Sequence, residues 1–377
     1  MDRTKAPRRR VVRRRRLALG VLIGLALAAF AFGAALGDEK PAEVEVASTL
    51  PVRHLAGERI VAGLAGTEVS PPLREAIRRG RIAGVVLFAE SFPTPAAGAR
   101  LIARLQAIER PPGLHDPLLI MVDQEGGQVK RVDGAPTASA RQMGNRGAAF
   151  SRAQGRASAR NLRSLGVNVD LAPVLDLARP GGVIAATERG FGATAAKVAA
   201  TAIPFAQALE AGGVAATAKH FPGFGAAGEN TDFAVEEIGL SKARLRAVDE
   251  APFAAFAAAG GKLVMLSTAI YPAFSDLPAA FARPIATAEL RGRLGFEGVS
   301  VTDALGTVAV RDFGGPAKAG LAAVRAGVDL LLFNDLAQAE AGWSELVAKL
   351  RARQLPRAAF EESAQRVLEL RADLGRG

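Results

Sequence analysis

The 377 residues suffice for one large domain or two ordinary ones, and the lack of any cysteine excludes disulfides, thiol nucleophiles and thiolate metal sites. The three histidines, His54, His115 and His220, are too scattered for a histidine-rich metal centre, so chemistry falls to carboxylates, and neither cofactor nor metal is expected. Residues 1–16 hold nine basic side chains against Asp2, which assigns +8 of the formal +11 to that tail, leaves +3 for the other 361 residues and argues against a nucleic-acid partner.

Behind the basic tail, residues 17–37 (LALGVLIGLALAAFAFGAALG) run 21 positions without a charge, against the roughly 20 that cross a bilayer as a helix. Arginines on its N-terminal side favour a cytoplasmic N-terminus. The expectation is a transmembrane signal anchor with the remaining chain outside the cytoplasm and the membrane as a partner. The alternative is a cleaved signal peptide and a secreted product, although the apolar region of such peptides usually covers about 7–15 residues. Residues 38–55 are polar and aperiodic and read as a linker.

From residue 56 to 377, short β-branched runs alternate with longer Ala/Leu/Arg-rich stretches of helical period, the pattern of repeated βα units. Strands are expected at 60–64, 84–88, 118–122, 167–171, 214–218, 263–267, 299–302 and 328–332, and a last helix from 357 to 374. Eight strands, each followed by room for a helix, predict a (β/α)8 barrel of the triosephosphate-isomerase type; a doubly wound sheet is the competitor. Asp123, Asp176, Lys219, His220, Asp303 and Asn334 fall at or just after strand C-termini, the rim on which barrel enzymes place their chemistry.

The duller readings stay open from spacing alone. Residues 223–228 (GFGAAG) satisfy GxGxxG after a strand, but ENTD follows where a dinucleotide fingerprint would open an apolar helix, so a sharp rim loop is the better account. Asp303 ends the run GVSVTD, where a rigidly held carboxylate suits attack on an anomeric carbon; a capping or salt-bridged Asp fits the spacing equally well. Lys219 and His220 could hold sugar hydroxyls or serve as a structural Lys and a packed His. Asp123 ends a third strand with Arg131 eight residues on, and the bland account there is an acidic turn followed by a surface Arg. One Trp and one Tyr leave few stacking platforms, so a ligand would be held by hydrogen bonds.

Taken in order, these segments resemble glycoside hydrolase family 3, in particular its single-domain β-N-acetylhexosaminidases of peptidoglycan recycling. Residues 123–131 (DQEGGQVKR) are similar to DQEGGRVxR, with Gln128 for the first Arg. Residues 168–177 (NVDLAPVLDL) match NFAPVLDI, 189–192 (RGFG) match RSFG, 219–225 (KHFPGFG) match KHFPGHG, and 295–305 (GFEGVSVTDAL) match GFDGVIISDDL. The resemblance runs from about residue 55 to the end. It implies a retaining glycosidase and a carbohydrate substrate, with Asp303 as nucleophile and Asp123, Arg131, Arg189, Lys219 and His220 as binders of the terminal sugar, in a monomer. One departure matters. Where the family has Asp-Ser-His, with the His as general acid/base, residues 230–232 read Asn-Thr-Asp, and Phe224 replaces the second His of the preceding motif. The expectation is that Asp232, buried beside Asp303, takes over proton transfer and that Asn230 donates a hydrogen bond to it. The competing expectation is a noncatalytic barrel that binds wall saccharides.

Overall fold

The computed structural model describes residues 46–376. The eight apolar runs form eight parallel strands: β1 (Ile60–Leu64), β2 (Gly84–Leu87), β3 (Leu119–Val122), β4 (Val169–Asp170), β5 (Ala215–Phe221), β6 (Leu263–Leu266), β7 (Val299–Thr302) and β8 (Leu331–Phe333). Neighbours pair in chain order from β1 to β7, and β8 returns to β1 through Ile60↔Leu331 and Val61↔Leu332. Between β7 and β8 a bridge at Val301↔Leu330, with Leu330 N–H donating to the Ser300 carbonyl at 2.8 Å, closes the barrel.

Alternation of side chains divides the apolar content into two cores. Val61, Val86, Leu119, Met121, Leu263 and Met265 point inward and fill the barrel. Ile60, Ala62, Val85, Leu87, Ile120 and Val264 point outward and bury the inner faces of the surrounding helices. Those helices begin where the sequence offers a cap: the side chains of Ser70, Thr94, Thr194 and Asp335 each accept an N–H from the first turn, and Ser139 with Gln142 forms a reciprocal capping box. Before β1, Val46–Thr49 and Val52–Gly57 form two short helices that bury Ala47, Leu55 and Ala56. The last helix, Arg357–Arg376, buries Phe360, Val367 and Leu370 and the guanidinium of Arg371, which is ion-paired with buried Glu58.

One part of the fold expectation is corrected. Residues 17–37 lie outside the described residues, and among the described residues no helix is long and apolar enough to cross a membrane. The helices here owe their apolar residues to one face packed on the barrel and carry charge on the other. The architecture is the barrel, and the transmembrane anchor, with the membrane as a partner, is withdrawn.

Candidate active site

The strands deliver their polar residues to one end. A cleft of about 420 Å³ at the C-terminal rim is lined by Asp123, Arg131, Arg189, Lys219, His220, Asp232 and Asp303, all seven side chains expected from sequence, together with Asn230, Phe233, Thr307 and Asn334. Apolar Val86, Phe88, Leu171 and Met265 contribute to its walls.

A charge network built on the turn after β3 lies on one side. Gly126 has φ of 86°, and a Cβ there would stand 2.3 Å from the Ala138 carbonyl, so the DQEGG turn requires glycine at this point. The turn aims Asp123 and Glu125 at Lys219, whose Nζ lies 2.7 Å from Asp123 Oδ1 and 2.8 Å from Glu125 Oε1. Arg189 grips the same Glu125 bidentately, with Nε and Nη2 at 2.8 and 2.7 Å from the two carboxylate oxygens. Burial alone would push the Glu125 carboxyl up; Arg189 and Lys219 overcome it and hold the group well below the usual carboxylate range. Burial pulls Lys219 down, but the charges of Asp123 and Glu125 outweigh that and raise it above its ordinary value. Arg131 stands 3.7 Å from Asp123, and its buried Nε has no hydrogen-bond partner among the described residues. Pairing with opposite charges, against the pull of burial, keeps Glu125 and Lys219 charged beside the cleft.

His220, next along β5, is oriented by Asp176. The Asp176 carboxylate accepts the backbone N–H groups of His220 and Phe224, at 3.1 and 2.7 Å, and sits 2.7 Å from His220 Nδ1. With Asp176 as acceptor, Nδ1 carries the hydrogen and Nε2 is left for the cleft. Phe224, the replacement for a family His, packs edge-on against the His220 ring at 5.7 Å and is buried. Gly225 explains why this stretch turns without opening a helix: a Cβ there would come within 2.2 Å of the Leu177 carbonyl. That glycine serves backbone packing, and the dinucleotide reading of residues 223–228 finds no helix behind it.

Asp303 follows β7. Its N–H donates to the Leu266 carbonyl at 3.0 Å, and its Oδ1 accepts the Ala304 N–H at 2.8 Å, while Oδ2 takes no protein hydrogen bond among the described residues. Burial lifts its carboxyl above the ordinary aspartate value; His220 opposes the rise and Asp232 adds to it. Asp232 reaches the same cleft from the loop after β5 but is exposed, contrary to the expected burial. A rim loop leaves it facing water, and the buried member of that turn is Thr231. Asn230 Nδ2 donates to Asp232 Oδ2 at 3.0 Å, and Asn230 Oδ1 accepts the Asp232 N–H at 3.1 Å.

Glu125 and Asp176, which orient Arg189, Lys219 and His220, were not among the site residues expected from sequence, although Asp176 was placed at the rim. Their signal was a place inside the motifs at 123–131 and 168–177, one within the turn after β3 and the other behind the short β4.

Residues 38–370 match the glycosyl hydrolase family 3 N-terminal domain. The chain belongs to glycosyl hydrolase family 3. It is 36% identical over 329 residues to an uncharacterized secreted glycosyl hydrolase of Arthroderma benhamiae, covering 85% of this chain and 93% of that protein. It is likewise 36% identical over 284 residues to a beta-hexosaminidase of Xanthomonas oryzae pv. oryzae, covering 72% of this chain and 82% of the relative. Among solved structures, a family 3 beta-N-acetylglucosaminidase from a Paenibacillus species superposes with a TM-score of 0.82 at 33% identity; the match covers 86% of this chain and spans 63% of that enzyme's length. The family 3 chain is thus a glycosidase of O-glycosyl bonds, similar to β-N-acetylhexosaminidases.

Proposed function

We propose that this family 3 barrel removes a terminal β-linked N-acetylglucosamine-type sugar from cell-wall saccharides by a retaining double displacement. The observation that carries the reading is the convergence of Asp303 and Asp232 on one cleft with the Asp123, Arg131, Arg189, Lys219 and His220 group. Asp303 Oδ2 attacks the anomeric carbon as the bond to the leaving oxygen breaks, and Asp232 passes its proton to that oxygen. Water then attacks the anomeric carbon of the glycosyl ester, Asp232 takes a proton from that water, the bond to Asp303 breaks to free its carboxylate, and two inversions restore the β configuration. Arg131, Arg189, Lys219 and Asp123 hold the sugar hydroxyls with charge-assisted hydrogen bonds. The fungal relative's description as secreted supports an exported product for this chain as well.

A series of β-N-acetylglucosaminides with leaving groups of graded acidity tests the assignment. Asp232→Asn should slow glycosides of poor leaving groups far more than those of activated phenols, which depart without a proton. Equal slowing across the series would remove Asp232 as the acid. The second reading, a saccharide-binding barrel without turnover, draws on one observation: the loop His of the family is replaced by a carboxylate that faces water. Binding of N-acetylglucosamine derivatives with no turnover of any glycoside would establish it.

A further inference from the structure

The loop that carries Asp232 also holds Phe233, which at 72% exposure is the most exposed large hydrophobic side chain among the described residues, and Val235 two positions on is 51% exposed. Phe233 lines the cleft beside Asn230, Asp232 and Thr307. Its ring lacks packing, yet its backbone is held. Phe233 N–H donates to the Asn230 carbonyl at 2.9 Å, Ala234 N–H to the same carbonyl at 3.1 Å, and the Thr231 carbonyl accepts the Ala309 N–H at 3.3 Å. A fixed backbone under an open aromatic face is a preorganised platform, which loses little freedom when a ligand covers it. The adjacent Asp232 is the group assigned to the leaving oxygen, so the ring belongs to the side of the cleft that receives the leaving group. Residues 229–237 contain Glu229, Asp232, Glu236 and Glu237 and no basic residue, so the segment that carries Phe233 disfavours an anion beside the ring, away from Arg131, Arg189 and Lys219 on the sugar side of the cleft.

Resting on the hydrolase reading above, we propose that Phe233 is the platform of a leaving-group subsite that stacks the face of an uncharged pyranose. The preferred substrates are then β-linked N-acetylglucosamine saccharides whose second sugar carries no carboxylate. The C–H face of such a ring covers the aromatic surface, and the acidic loop discriminates against a muramic-type carboxylate at the same place.

The test compares the full chain with Phe233→Ala and Phe233→Trp on four β-linked compounds. These are methyl N-acetylglucosaminide, which lacks a second ring, diacetylchitobiose, and an N-acetylglucosaminyl-N-acetylmuramic acid disaccharide as the free acid and as its methyl ester. Phe233→Ala should lower the ratio of kcat/KM for diacetylchitobiose to that for the methyl glycoside by about five- to tenfold, the worth of one aromatic contact, and Phe233→Trp should restore it. The free acid should be cleaved more slowly than its ester, with the gap closing at high salt. An unchanged ratio in Phe233→Ala, or a free acid cleaved as fast as the ester at low salt, would overturn the proposal. If the unmutated chain cleaves none of the compounds, the hydrolase reading fails, and calorimetry of diacetylchitobiose against the methyl glycoside then reads the subsite. Tighter binding of the disaccharide, reduced in Phe233→Ala, would uphold the platform, and equal binding would overturn it.

Discussion

Replacing Glu125 by Gln keeps the side chain's shape and removes the charge that Lys219 and Arg189 share. Glu125 and Lys219 are almost wholly buried, and the carboxylate takes two hydrogen bonds from Arg189 and one from Lys219, at 2.7–2.8 Å. Removing one member of a buried ionic group costs about 3–5 kcal/mol, because the remaining charge stays out of water unpaired. Asp123 still pairs with Lys219 at 2.7 Å, so the lower end applies, about 3 kcal/mol. Urea denaturation at pH 7 should show that loss as a lower midpoint at unchanged m. The pH dependence has a definite sign. The folded pKa of Glu125 is depressed, so its stabilisation is present above the unfolded carboxyl value of about 4.3 and is lost as pH falls toward the folded value. The gap between the unmutated protein and Glu125→Gln should therefore narrow below about pH 4. A loss under about 1 kcal/mol at pH 7, or a gap that stays constant between pH 5 and pH 2, would refute the account of the network.

Three further outcomes follow from other groups. Glu210, at the end of the helix Ala195–Glu210, accepts the Lys262 N–H at 2.9 Å, and burial lifts its pKa to about 7. Its raised value favours the fold at low pH and loses that effect as pH rises through 7, so Glu210→Gln should be more stable by about 2 kcal/mol at pH 8.5 and no more stable at pH 4, read by thermal denaturation. Asp232→Asn removes one of the influences that raise Asp303, so the acid limb of kcat/KM on an activated aryl glycoside should move to lower pH; an unmoved limb would deny the two carboxylates their coupling. Asp123→Ala and Lys219→Ala should each weaken an iminosugar inhibitor by about 1–3 kcal/mol in calorimetry, and unchanged affinity in both would displace the sugar from this network.

Much of the barrel was legible because inward and outward apolar residues alternate along each short run. Where boundaries moved, side-chain hydrogen bonds meet the strand ends. Residues 167–171 read as a full strand, yet β4 is only Val169–Asp170; at its start Asn168 adds side-chain bonds to β3 beside its own N–H, its Oδ1 accepting the Ile120 N–H at 2.7 Å and its Nδ2 donating to the Leu118 carbonyl at 2.9 Å. The expected strand 328–332 begins instead at Leu331, since the carboxylate of Asp329 accepts the Ser300 N–H at 2.8 Å ahead of it. β5 runs further than its apolar pattern, through Lys219 and His220 to Phe221, because those polar side chains are satisfied by Asp123, Glu125 and Asp176. The grouping of the seven site residues rested on motifs in chain order. Glu125 looked like one more acid in a turn because its partner Arg189 is 64 residues away. Phe233 carries no signal in its neighbours, and only its exposure beside the cleft distinguishes it.

In the proposed reaction Asp303 forms a covalent bond to the sugar. A fluorinated N-acetylglucosaminyl fluoride, activated at its anomeric carbon and slow to hydrolyse once transferred, should inactivate the full chain and leave one sugar on the peptide containing Asp303, as read by digestion and mass spectrometry. An adduct on another residue, or turnover without any adduct and with inverted stereochemistry in the first-formed product, would contradict it.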